Sequence, residues 1–265
     1  MASIVLAATH HDPDGRLYDQ TARILPQLQS VYAGIVLQLT PQTTAETVDL
    51  LRRCGVRFRI GSADLPTGHL HLGLWRRGAV AAGLNSGYDV GHYHFCDLDR
   101  VLHWAEFHLD ELRATLAELP EYDLTVLGRT QRAFASHPRA QTATEALANR
   151  VFGLVWGAEW DIAAAARGLS ARAARLIVDR CDDDTVGSDC SWPLIARGGG
   201  LLLGYRETEG LEFETLDRFG DEIAALGGPQ IWIDRFDADP QQWLLRMDLA
   251  RAEAESAWSY RNWSL

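Results

Sequence analysis

The sequence predicts an α/β protein with a mostly parallel central sheet and helices on both faces. Three observations carry this expectation. Short apolar runs alternate with amphipathic stretches from the first residues on, which is the pattern of β-α-β units. The runs are bounded by turn signals such as Asp12-Pro13-Asp14-Gly15 and Thr40-Pro41. A chain of 265 residues, 47% hydrophobic and 23% charged, can bury the core that such a sheet needs.

In chain order, Ile4-Val5-Leu6-Ala7-Ala8 reads as a buried strand running into a polar loop that begins at Thr9. Leu17 to Val31 has helical spacing, with an interruption or kink expected at Pro26. Ile35 to Leu39 is a second strand. Thr44 to Cys54 is a helix closed by Gly55, and Val56 to Ile60 alternates as a third strand. Leu72 to Leu84 is a helix carrying Trp75, Arg76 and Arg77. The run Tyr93-His94-Phe95-Cys96 is a strand that stops at Asp97-Leu98-Asp99. One helix then places Ala105, Leu109, Leu112, Leu116 and Leu119 on a single face and ends at Pro120. Leu124 to Gly128 is a strand leading into Arg129-Thr130-Gln131-Arg132, and Thr144 to Trp156 is helical.

Asp161 to Arg180 is rich in alanine and arginine, with Ser170 as the N-cap of its second half. Gly187-Ser188-Asp189, Trp192-Pro193 and Gly198-Gly199-Gly200 read as loop. Leu201 to Tyr205 and Leu211 to Glu214 are expected strands. Asp239-Pro240, a cap followed by proline, opens the last helix. No repeat or linker interrupts the pattern, so a single domain over residues 1–265 is expected.

Composition excludes several function classes. A net charge of −11 argues against nucleic acid or an anionic membrane as a general partner. All 25 basic residues are arginine, which removes a P-loop lysine, a pyridoxal Schiff base, the kinase strand lysine and any lysine nucleophile. Cys54, Cys96, Cys181 and Cys190 have neither zinc-site nor disulfide spacing. The first residues lack a cationic leader, and no apolar run reaches the ~18 residues of a membrane span. A reduced, cytoplasmic setting is the expectation.

The chemistry concentrates at Asp97-Leu98-Asp99. A strand ending there puts two carboxylates at the carboxyl edge of the sheet, where open α/β sheets bind ligands. Two close carboxylates repel unless a cation or donor lies between them. A hard divalent ion, Mg²⁺ or Mn²⁺, would satisfy both and also bridge the oxygens of a diphosphate. The plainer alternative is that Asp99 caps the next helix and Asp97 is a solvated turn residue.

With the elements in this order, the chain resembles the GT-A-type, family-2-like glycosyltransferases of the nucleotide-diphospho-sugar transferase superfamily. Four pieces carry the resemblance: the first strand and its polar loop, the helix Leu74-Trp75-Arg76-Arg77-Gly78-Ala79, the strand into Asp97-Leu98-Asp99, and the later acidic loop Gly187-Ser188-Asp189-Cys190. It implies a GT-A-like nucleotide-binding sandwich, with a nucleotide-binding half to about residue 105 and an acceptor-side half beyond it.

The activity it implies is metal-dependent transfer of a sugar from a nucleotide-diphospho-sugar to a small-molecule or glycan acceptor. Asp97 and Asp99 would hold Mn²⁺ or Mg²⁺. Thr9, Arg76, Arg77 and Asp97 would contact the nucleotide, the arginines as donor forks to its phosphates. Asp189 would be the base of an inverting reaction. The family's usual Glu-Asp is replaced by Ser188-Asp189 here, and no histidine lies beyond His137 to supply a third metal ligand.

Other residues are expected near the cleft with less to distinguish them. Trp192 either stacks on a sugar or fills the core. Arg129, Arg132 and His137 follow a strand end. Asp182 to Asp184 is a second cation site or a solvated loop, and Glu207, Glu209, Glu212 and Glu214 line an acceptor groove or the wet face of a strand. Two other functions compete: a sugar-1-phosphate nucleotidyltransferase, for which the Thr9-His10-His11-Asp12 loop has no glycines, and a non-catalytic carbohydrate- or nucleotide-sugar-binding protein, which the nine tryptophans allow.

Overall fold

The computed structural model describes residues 3–265. Seven strands form the sheet: β1 (Ile4–His10), β2 (Gly34–Leu39), β3 (Arg57–Ile60), β4 (His92–Cys96), β5 (Leu124–Arg129), β6 (Ala166–Ser170) and β7 (Leu203–Thr208). Their spatial order is β3-β2-β1-β4-β6-β5-β7. Every pairing is parallel except those of β6, which runs antiparallel to both β4 and β5. Ala7 of β1 faces Val36 of β2 and Phe95 of β4, so these strands end along one edge.

Alternation along β1 splits the core. Ile4, Leu6 and Ala8 pack under α1 (Tyr18–Val31), α2 (Ala45–Arg53), α4 (Leu98–Phe107) and α5 (Leu109–Glu118). Val5 faces the other layer, where α3 (Leu72–Leu84), α8 (Ala171–Arg180), α9 (Ser188–Gly198) and residues of α7 (Arg139–Trp156) and α12 (Pro240–Ser259) meet. A short α6 (Gln131–Ala135), α10 (Gly220–Leu226) and α11 (Pro229–Ala238) complete the chain. Helices therefore cover both faces, as the apolar runs require. No helix among the described residues is long and apolar enough to cross a membrane.

The caps expected at Ser170 and Asp239 form, and Thr44 adds a third. Thr44 Oγ1 accepts from Thr47 N at 3.3 Å, Ser170 Oγ from Ala173 N at 3.1 Å, and Asp239 Oδ1 from Gln241 N at 2.9 Å. Helix α1 continues through Pro26. Three expectations are corrected, and one strand appears where none was assigned. The helix after Asp99 is two helices, broken at His108, whose backbone leaves the helical region at φ −137° and whose ring meets Glu212 at 2.9 Å. Ala166 to Ser170, weak in β-forming residues, is a strand because it is paired on both sides and wholly buried. The Gly187 to Pro193 region is helix α9, with Pro193 inside it and every residue from Ser188 to Ala196 buried. Leu211 to Glu214 is not a strand. Leu211 and Phe213 are buried in a connection that leads into a 3₁₀ turn, Glu214–Phe219.

Candidate active site

In chain order the strands step outward from β1 to β3 and then return to β4 on the other side of β1. The reversal leaves a crevice at the carboxyl ends of β1 and β4, the place where open α/β sheets bind ligands. A cavity of about 540 Å³ lies there, lined by Thr9, Arg76, Asp97, Asp99 and Asp189 among others. Five of the six site residues expected from sequence thus share one cavity.

Asp97 occupies the N-cap position of α4, yet its side chain does not cap the helix. One oxygen accepts a hydrogen bond from the Thr9 hydroxyl and the other accepts from Arg76 Nη2 at 2.9 Å. Asp99, in the first turn of α4, accepts from the Arg100 backbone N–H at 2.9 Å and from Arg218 Nη2 at 2.8 Å. Burial works against the Asp99 charge, but Arg218 and Arg100 outweigh it and hold the carboxyl below its usual range. Arg218 also donates to the His11 carbonyl at 3.2 Å. Asp99 is not the N-cap, a position Asp97 holds; one of its oxygens takes a first-turn amide and the other meets a guanidinium.

Arg76 is 3% exposed and bridges the two acidic motifs, with Nη2 on Asp97 and Nη1 on Asp189 at 3.0 Å. Asp189 also receives Arg167 Nη2 on its Oδ1 at 3.4 Å and on its backbone carbonyl at 3.0 Å. The carboxylate expected to stand free across the cleft is instead held between two guanidiniums, and one of these fills the gap to Asp97. Helix α3 can come this close because position 73 is glycine. A Cβ there would lie on the Thr185 carbonyl, and Leu74 N donates to Asp184 O at 3.1 Å.

Arg77 does not join the site. It turns outward, donates to the Asp183 carbonyl at 3.0 Å and pairs with Asp184. Asp183 itself takes the Ser256 hydroxyl at 2.7 Å and Asp182 that of Tyr260, so this acidic loop ties down α12. Trp192 is 2% exposed and packs edge-on against Phe95 in the core. Arg129 is buried between Glu145 at 2.6 Å and Asp161 at 2.7 Å, His137 lies behind it, and Arg132 pairs with Glu209 and Glu212 outside. Of the four strand-like glutamates, Glu214 reaches the cavity.

Comparison with known proteins adds little. No protein-family model matches the chain. No curated protein matches it in sequence. A crystal structure from Desulfovibrio desulfuricans G20, described as a "putative nucleotide-diphospho-sugar transferase", is similar over 98% of this chain and 99% of its own, at 10% identity and a TM-score of 0.45. So loose a likeness carries no argument about the site, and its chemistry rests on the residues in the cavity.

Several of those residues have no signature in the sequence. His10, at the end of β1, is 2% exposed with neither ring nitrogen hydrogen-bonded. Burial lowers its pKa to about 4, so it is neutral at physiological pH and carries one donor and one acceptor on a residue that lines the cavity. Glu214 Oε2 and the Nε atoms of Arg76 and Arg246 are likewise buried without partners, and all three residues line the same space. Buried polar atoms in native proteins are nearly always paired. Four residues that line the cavity thus carry enclosed polar atoms without a partner. Phe219, Trp232 and Phe236 form an aromatic wall, with ring centroids 5.2 and 5.7 Å apart.

The donor set admits a divalent ion only in company. Each oxygen of Asp97 and Asp99 already accepts one hydrogen bond and keeps a second lone pair. No cluster of three His, Cys, Asp or Glu residues suited to a metal occurs among the described residues. Hard carboxylate oxygens suit Mg²⁺ or Mn²⁺, which commonly take one or two carboxylates and complete their shell from phosphate and water.

Proposed function

We propose that this cavity transfers a sugar from a nucleotide-diphospho-sugar to an acceptor hydroxyl. The observation that supports it is the Asp97-Leu98-Asp99 pair at the β1/β4 crevice, facing a cavity with unpaired polar atoms and buried guanidiniums. In this reading Asp97 and Asp99 would hold Mg²⁺ or Mn²⁺ beside the bound diphosphate. When bound, the ion supplies charge neutralisation as the nucleoside diphosphate leaves. Thr9 fixes the Asp97 carboxylate, and Arg218 fixes that of Asp99. His10, neutral and unpaired at the cavity wall, is the side chain left to offer the nucleotide a hydrogen bond. Asp189 and Arg167 position Arg76, which keeps the Asp97 carboxylate oriented and its charge balanced until a ligand arrives.

Thermal shifts with UDP, GDP, ADP, CDP and TDP, each with and without Mn²⁺, test the reading. A nucleotide at 100 times its Kd should add ~2.7 kcal/mol of stability, and Asp97→Asn and Asp99→Asn should each weaken that gain. Nucleotide binding that ignores EDTA and both substitutions would remove the metal from the proposal. Release of pyrophosphate from a nucleoside triphosphate, in place of nucleoside diphosphate from a nucleotide-sugar, would replace transfer with nucleotidyl exchange.

A further inference from the structure

Transfer to a hydroxyl needs a group that takes its proton, and Asp189 is committed elsewhere. Six carboxyl groups border the cavity: Asp97, Asp99, Glu145, Asp189, Glu214 and Glu253. Five of them meet a guanidinium. Arg76 serves Asp97 and Asp189, Arg218 serves Asp99, Arg129 serves Glu145, and Arg100 approaches Glu214 at 3.7 Å. Glu253, on α12, is 4% exposed and makes neither an ion pair nor a side-chain hydrogen bond among the described residues. A structural carboxyl buried this far would be expected to have a partner. Ser256, one turn further on the same helix, has two, in Asp183 and the Gly187 carbonyl.

We infer that Glu253 is the general base that accepts the proton of the acceptor hydroxyl, an assignment that rests on the transfer reading above. The acceptor oxygen bonds to the anomeric carbon as the bond from that carbon to the diphosphate oxygen breaks. The electron pair leaves with the nucleoside diphosphate, and the proton passes to the Glu253 carboxylate and on to water. Helix α12 lays Gln242, Leu245, Arg246, Leu249, Ala250 and Glu253 along the cavity, a stripe about 16 Å long at helical spacing. An acceptor can lie along its apolar middle with the reacting hydroxyl at the Glu253 end.

The charged and titratable groups around Glu253 are Asp189 and Cys190 of α9, Glu145 of α7, Arg76 of α3, Arg129 of β5 and Arg246 of its own helix. Burial first, then Asp189 and Glu145, push its pKa well above the ordinary glutamate range, while Arg76 and Arg129 oppose them. A carboxyl raised in this way is a better match for a hydroxyl proton than one of ordinary acidity. Because only the ionised form accepts the proton, turnover should rise with pH.

The test is nucleoside diphosphate release from the nucleotide-sugar whose nucleotide gives the largest thermal shift, with water as acceptor, followed across pH. Wild type should show a rising limb. Glu253→Gln should lower kcat by ~10²–10⁴-fold, lose the limb and keep the nucleotide-induced shift in Tm, and Glu253→Asp should restore part of both rate and limb. A Glu253→Gln variant that keeps its kcat or its limb overturns the assignment while leaving the transfer reading intact. If that variant does not fold, absence of a rising limb in wild type overturns it equally. Failure of wild type to release nucleoside diphosphate from any nucleotide-sugar overturns the transfer reading itself.

Discussion

Arg76 and Arg77 are neighbours in sequence with unrelated roles. Sequence alone places both on a helix near the acidic motif, but about 100° of helical rotation separates them, and only the packed structure tells which one points inward. Arg76 is the shared counter-ion of Asp97 and Asp189, so Arg76→Met leaves the partly buried Asp97 without a guanidinium and the buried Asp189 with Arg167 alone. It should cost ~3–5 kcal/mol in urea unfolding, the range for breaking a buried pair. Arg77→Met removes a more exposed pair with Asp184 and should cost less than about 1 kcal/mol. The reverse order would show that Arg76 does not hold the site together. Asp97 and Asp99 were legible because a strand stopping at Asp-x-Asp is a local pattern. Arg218 and Glu253 were not, because each reaches the cavity from a distant segment through packing alone.

Helices α10 and α11 contain no buried residue, and they are joined by Gly227 and Gly228 at φ +93° and +138°. Nevertheless, Phe219, just before α10, and Trp232 and Phe236 of α11 wall the cavity. Asp237 at the end of α11 accepts from the Arg139 and Ala140 backbone N–H groups at 2.9 and 2.8 Å, capping α7 from outside, since the Pro138 ring offers no acceptor, and Arg16 holds Glu222 of α10 at 2.8 Å. Amides of α10 and α11 should exchange faster than those of α7 and α12, and a bound nucleotide should slow them. Asp237→Ala should cost ~0.5–2 kcal/mol and speed exchange in α11. Uniform exchange across all four helices would contradict this. The sequence was silent here for a physical reason. An element that buries nothing completely needs no clear apolar stripe, and a fully buried one such as α9 shows loop residues because packing overrides propensity.

At the scale of the whole molecule, three histidines among the described residues are buried and neutral. Burial lowers His10 to about 4 and His94 to about 3, and takes His137 well below its ordinary value with help from Arg129 and Arg100. The unfolded chain binds protons at these positions near pH 6.5, whereas the folded chain refuses them until far lower pH. Their contribution is therefore complete above about pH 6.5 and declines below it, by up to ~1.4 kcal/mol per pH unit for each group. Urea midpoints measured from pH 7.5 to 5 should fall, and fall less steeply in His10→Asn. A His10→Asn profile as steep as that of wild type would mean that this ring reaches solvent. The parallel sheet and its helical layers were readable in the apolar runs. The place of β6 was not, because Ala166-Arg167-Gly168-Leu169-Ser170 becomes a strand only between partners already in position.

That position has a consequence for the growing chain. Strands β1 to β4 emerge first and bring Thr9, His10, Arg76 and Asp97 with them, and β5 follows. Yet β4 and β5 never touch in the sheet, since β6 lies between them. Until residues 166–170 leave the ribosome, the two parts of the sheet have no common strand, and the flank of β4 from His92 to Cys96 stays open. An open strand flank is a template for pairing with another chain. The hazard on this protein's route to its native state is thus greatest midway through synthesis, and one five-residue strand ends it.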